Sequence, residues 1–210
     1  METIRFERLT DTAHPHFSVL LDLYHAAFPA NERHPDSVIT ERIDAGTYHV
    51  FAGVLDKAPV FMALLWPLRG TGFTLLDYMA TDASMRGKAV GSQFLRYLKE
   101  DYLQGNGYLI LETEDPDFGE NREERARRVG FYRRNGAQLI KGLRYLLSPL
   151  QGDQPTDMRL MIFPEYSSRI EAGIVRDLVG RIYRELYGRE ENDPYVQRAI
   201  GDNREYYGLE

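Results

Sequence analysis

The 210-residue sequence contains no cysteine. That absence removes disulfides, thiolate metal sites and a cysteine nucleophile, and it leaves the redox compartment open. No apolar run reaches the ~18 residues that a membrane span needs. The opening METIRFERLTDTAHPHF has neither a basic segment followed by an apolar stretch nor a small-residue cleavage site, so a soluble, cytoplasmic protein is expected. Positive charge is not in excess. With 26 Lys and Arg against 32 Asp and Glu, the formal net charge is -6, and no broad grip on nucleic acid or on an anionic membrane is expected. A cationic or amine-bearing partner fits that charge better. Two common nucleotide-binding loops are missing as well: there is no Gly-x-x-x-x-Gly-Lys-Ser/Thr, and no Gly-x-Gly-x-x-Gly after the first strand. Internal repeats and low-complexity tracts are absent.

What is present is a hydrophobic content of 43%, ample for one large core or for a domain with an appendage. Residues 4–9 alternate like a half-buried strand, and Phe17, Leu20, Leu21, Tyr24 and Phe28 then recur at helical spacing. Pro29 and Pro35 bracket a loop before a short helix from Asp36 to Gly46. Strand-like runs follow at 48–55, 60–68 and 73–81, and their short turns predict an antiparallel meander. Next comes a helix from Val90, with Phe94, Leu95, Leu98 and Tyr102 on one stripe, ended by Gly105-Asn106-Gly107. Residues 108–113 read as a strand, 120–135 as a charged helix closed by Gly136, and 137–147 and 158–163 as the last two strands, separated by the turn-rich SPLQGDQPTD. Beyond Pro164, Ser168 and Glu171 form a capping box for a helix running to Gly188. A short helix is expected after Asp193-Pro194.

Between the third strand of the meander and the next helix lies the turn Arg86-Gly87-Lys88-Ala89-Val90-Gly91-Ser92. A strand, a small-residue turn and a helix together present unpaired amides at a helix N-terminus, where an anion such as a pyrophosphate is favoured. From spacing alone, a turn that merely needs small residues is equally acceptable.

The segment YMATDASMRGKAVGSQFL resembles motif A of the GNAT superfamily of N-acetyltransferases, and RVGFYRRNGAQL resembles the next motif of that superfamily, a helix carrying Phe-Tyr before an Asn-Gly turn. The order of elements from residue 4 to residue 163 is also similar. The resemblance implies an α/β fold with a mixed, mostly antiparallel sheet of about seven strands in residues 1–165; residues 166–210, where the composition changes, read as a C-terminal helical extension. It further implies acetyl-CoA as co-substrate, with its pyrophosphate on the amides of residues 87–92 and its pantetheine arm along Met79 and Thr81. An amide near Met79 or Ala80 would stabilise the oxyanion as an amine attacks the thioester. Tyr132 matches the tyrosine that protonates the leaving thiolate.

Two positions depart from the pattern. Ala89 stands where the signature has its first glycine, and Arg125 replaces an asparagine two turns before the Phe-Tyr pair. For proton removal from the amine, Glu112 and Glu114 share one face of a strand end, with Glu32 as a further candidate. A solvated acidic loop is the alternative for the pair. Glu123 and Glu124 are expected to pair with Arg127 and Arg128 along a solvated helix. The five histidines show no metal-ligand spacing, and Trp66 reads as core. The acceptor is a small-molecule or peptide amine. Two rivals remain open: a GNAT-fold module that binds CoA or a partner without catalysis, and a C-terminal helix with Tyr195, Tyr206 and Tyr207 that serves assembly, as in a homodimer.

Overall fold

The computed structural model describes residues 4–105, 107–147, 155–201 and 203–210. The chain divides into two compact units: Met1–Pro67 with Leu76–Asn106, and Leu68–Leu75 with Gly107–Glu210.

The first unit carries β1 (Arg5–Leu9), α1 (Phe17–Ala27), α2 (Asp36–Asp44), β2 (His49–Leu55), β3 (Ala58–Leu68) but for its last residue, β4 (Phe73–Thr81) from Leu76 onward, and α3 (Val90–Tyr97). Its strands lie in the order β1-β2-β3-β4, with β1 and β3 each antiparallel to β2. Asp56 and Lys57, both at positive φ, join β2 to β3 in the two-residue hairpin geometry that matches strand twist. Because β2 is covered on both sides, its alternation splits apolar residues between two faces. Val50, Ala52 and Val54 join Met62 and Leu64 against Leu20, Tyr24, Ile39 and Ile43 of α1 and α2. On the other face Phe51, Phe61 and Phe6 surround Phe94 of α3, with ring centroids 4.7 to 5.6 Å from it. Gly53 sits in that packing without room for a methyl group: a Cβ there would lie 2.9 Å from Phe61 Cβ.

The second unit carries β5 (Tyr108–Glu114), α4 (Arg122–Arg134), β6 (Gln138–Leu139), β7 (Tyr145–Leu147), β8 (Thr156–Phe163), β9 (Arg169–Glu171), α5 (Ala172–Tyr187), α6 (Pro194–Ile200) and β10 (Tyr206–Gly208). Strand β8 pairs antiparallel with β5 on one side and with β6 and β7 on the other. The architecture is the expected α/β fold with a mixed, mostly antiparallel sheet, here of eight strands.

Two expectations need correction. Residues 137–147 are not one strand, because the chain turns at Lys141-Gly142, with Gly142 at φ 72, and leaves β6 and β7 as separate short pieces. The capping box is not formed. Instead 169–171 is strand β9, paired with β10, and α5 starts at Ala172 with Glu171 as an N-cap that makes no side-chain cap bond. The short helix expected after Asp193-Pro194 is formed as α6, capped by Asp193 Oδ1 accepting from Tyr195 N at 2.9 Å, and the rest of the polar tail supplies β10. Of its three tyrosines, Tyr207 is buried, Tyr195 partly buried and Tyr206 exposed. Most of the SPLQGDQPTD connection lies outside the described residues. Among the described residues, no helix is long and apolar enough to cross a membrane.

Candidate functional site

In the first unit β4 ends in the sequence that the motif occupies. Tyr78 and Ala80 are buried, while Asp77, Met79 and Thr81 between and beside them are partly exposed. Asp82 then turns the chain, its Oδ1 accepting from Ser84 N at 2.9 Å, through a single 3-10 turn at Ala83–Met85. The small-residue turn follows. Gly87 has φ 79 and Ala89 has φ 60 and ψ 20, so an L-residue with a methyl group occupies the left-handed region just before α3. The first helical bond runs from Gln93 N to Ala89 O at 3.0 Å. The amides of Val90, Gly91 and Ser92 therefore precede the helical ladder and have no acceptor within it. Arg86, Gly87, Lys88 and Ala89 are exposed. An exposed turn with unpaired amides, a helix N-terminus and two cationic side chains fits a pyrophosphate.

Sequence reasoning passed over Asp77. The Tyr48 hydroxyl donates to Asp77 Oδ2, Arg42 Nη1 donates to the Tyr48 hydroxyl at 3.1 Å, and the Arg42 guanidinium lies over the Trp66 ring at 5.1 Å. Burial pushes the Asp77 carboxyl up to about 6, outweighing the Tyr48 hydrogen bond and the Arg42 charge, both of which favour the carboxylate. One signal was legible: a single aspartate in the otherwise uncharged strand FTLLDYMAT. Nearby, the Tyr78 hydroxyl donates to the Glu32 carbonyl at 3.0 Å, which fastens the 3-10 turn Ala30–Glu32 to β4 through the main chain. His34 is buried, and burial followed by the Arg42 charge lowers its imidazole to about 4, so it is neutral at pH 7.

In the second unit Glu112 and Glu114 lie on one side of β5, with the buried Thr113 on the other, as alternation requires. Both carboxylates are engaged. Glu112 accepts from the hydroxyls of Tyr145 on β7 and Tyr187 on α5, the latter at 2.9 Å. Glu114 is 2.9 Å from Arg125 and 3.5 Å from Arg128. Arg125, the residue in the asparagine position, also donates to the carbonyls of Phe118 and Asp115 at 2.5 and 3.4 Å. The pairing expected along α4 is thus redirected: Arg128 reaches Glu114, and Arg127 Nε donates to the Glu123 carbonyl at 3.3 Å. Tyr132 is 7% exposed, its ring edge-on to Phe131. Burial lifts its phenol to about 12, with the Arg128 charge opposing the shift. A cavity of about 330 Å³ beside Tyr145 is lined by residues of both charges, among them Asp115, Asp157, Arg144 and Arg198.

The family model for the acetyltransferase (GNAT) family matches residues 17–136, more than half of the chain. No curated protein matches it. Among solved structures, a protein of the GNAT acetyltransferase family from Bacteroides thetaiotaomicron superposes with a TM-score of 0.75 at 24% identity, covering 89% of this chain and 100% of its own. A GNAT family acetyltransferase from Elizabethkingia anophelis with acetyl-CoA bound gives a TM-score of 0.55 at 15% identity, covering 79% and 100%. A Bacillus subtilis acetyltransferase in complex with CoA gives 0.54 at 13% identity, covering 78% and 100%. At these identities the structural likeness is one of fold; the family assignment comes from the sequence match across both motifs. The chain belongs to the GNAT family of acetyltransferases, an acyltransferase enzyme family.

Proposed function

We propose that the protein transfers an acetyl group from acetyl-CoA to a primary amine, the amine attacking the thioester directly. The observation that carries this reading is the turn at residues 86–92, where three unpaired helix N-terminal amides and the side chains of Arg86 and Lys88 stand ready for a pyrophosphate. The acetyl-CoA and CoA held by the relatives from Elizabethkingia anophelis and Bacillus subtilis support the same donor. That donor supplies an activated acyl group and a thiolate leaving group. Main-chain groups of Met79, Ala80 and Thr81 orient it, and an amide there stabilises the oxyanion. A covalent acyl-enzyme is not required, in keeping with the absence of cysteine.

Proton movement is assigned to two groups. A lysine-like acceptor amine is protonated at pH 7 by about 4.6 kcal/mol, so a base must take its proton. We assign that role to Asp77 in preference to Glu112 and Glu114. Its conjugate acid, at about 6, lies nearer the amine than an ordinary aspartate does, and β4 carries it two residues before Met79. Glu114, held by two guanidiniums, is a poorer base, and Glu112 anchors two tyrosines. Tyr132, with its phenol at about 12, keeps its proton at neutral pH, the state needed to protonate a thiolate.

A second reading, a CoA-binding module without turnover, is favoured by the methyl group of Ala89 at φ 60, where the motif has glycine. Thermal unfolding with acetyl-CoA, CoA, ATP and NAD, followed by thiol release with a panel of amines, separates the readings. A midpoint shift with the CoA species only, together with amine-dependent thiol release, is the expected result. A shift without release supports the second reading, and no shift overturns both.

A further inference from the structure

Glu7 lies on β1, opposite Ala52 of β2, and the sheet fixes its position. His14 and His16 come from the segment that enters α1, and His16 is the N-cap residue of that helix, which has no side-chain cap bond. The chain folds these three side chains together. His16 Nδ1 is 2.7 Å from Glu7 Oε1, the two imidazole centroids are 5.2 Å apart, and one ligand atom from each residue falls within 4.8 Å of the other two. All three residues are partly buried. The second oxygen of Glu7, Oε2, is held by Arg5 at 2.5 Å, while Oε1 faces His16 Nδ1.

We infer that Glu7, His14 and His16 form a binding site for one divalent transition-metal ion of the zinc type, joining β1 to the start of α1. Two imidazole nitrogens and one carboxylate oxygen are a donor set that zinc accepts, with remaining positions taken by water. Donors at zinc distances of about 2.0–2.2 Å in tetrahedral array stand roughly 3.4 Å apart. Imidazole also selects against calcium and magnesium, which take oxygen ligands. The Arg5 contact to Oε2 has the form of the outer contacts that orient ligating carboxylates. The histidine spacing alone hides the site, because its third member arrives from a strand nine residues before His16 and is aligned by pairing with β2. This inference is independent of the acetyl-transfer reading.

The test uses the full chain without an affinity tag, stripped with a chelator and titrated calorimetrically with zinc chloride. Cobalt(II) chloride is added in parallel, and its visible spectrum reports on coordination. Wild type is expected to bind one zinc per chain with micromolar affinity and to give a cobalt spectrum of low coordination number. His14→Ala, His16→Ala and Glu7→Gln are each expected to lose at least about tenfold in affinity. The cobalt spectrum of wild type needs no variant, so a variant that fails to fold does not block the test. Absence of saturable zinc binding below millimolar concentration overturns the site, as does undiminished affinity in folded His14→Ala and His16→Ala chains.

Discussion

Ala89 is the residue at which sequence departure and backbone geometry meet. Its φ of 60 puts a Cβ where L-residues are disfavoured, at a cost of about 1–2 kcal/mol that glycine does not carry. Ala89→Gly is therefore expected to raise stability by about 1 kcal/mol in urea unfolding, after allowing for the greater chain entropy of glycine. It should also tighten CoA binding, as read by calorimetry. Asp77 offers a second test. Asp77→Asn keeps an oxygen for the Tyr48 hydroxyl while removing a carboxyl that burial makes costly to ionise, so the variant should unfold at or above the wild-type midpoint at pH 8. Its kcat/KM should fall by about 10²-fold or more if the carboxylate is the base. The motif residues were legible because Gly87, Gly91 and Phe131-Tyr132 are local signals. Asp77 was obscured because its partners, Tyr48 and Arg42, precede it by 29 and 35 residues, and nothing in a linear pattern joins a strand to a helix at that separation.

At the scale of elements, the hairpin β2-β3 and helix α3 were legible because each buries a periodic apolar face. The strand pair β9-β10 was not, because each strand is only three residues long and the two hold together by pairing with each other, a contact between residues 35 to 39 apart. The expected capping box of Ser168 and Glu171 failed for the same reason: residues 169–171 have strand partners, and the Ser168 carbonyl accepts from Leu209 N at 2.9 Å. Two substitutions test the packing of elements. Gly53→Ala forces a methyl group against Phe61 and Phe6 and should destabilise by about 1–3 kcal/mol in urea unfolding. Glu112→Gln weakens the hydroxyl bonds from Tyr145 and Tyr187 that link β5 to β7 and α5. It should cost about 1–3 kcal/mol and speed amide exchange in residues 172–187 before the rest of the chain.

For the whole molecule, the raised Asp77 carboxyl makes stability depend on pH with a definite sign. Between the ordinary aspartate value near 3.8 and the folded value of about 6, the native chain holds a proton that the unfolded chain has released. The contribution is fully present below 3.8 and is lost as pH rises through 6. Other groups titrate in the same range, so the check is a difference: the midpoint of wild type minus that of Asp77→Asn, measured from pH 4 to pH 8, should fall across this window and then level off. Activity should run the opposite way, rising as pH passes about 6 and the base becomes available.

Trp66 is the one tryptophan in 210 residues, and its ring lies 5.2 Å from Tyr48 and 5.1 Å from the guanidinium of Arg42. Its indole emission is consequently an unlabelled optical reporter on the Arg42, Tyr48 and Asp77 cluster. Ionisation of the carboxyl or arrival of an amine changes the field across that ring, so intensity and colour can be followed in a stopped-flow cell while the chemistry proceeds.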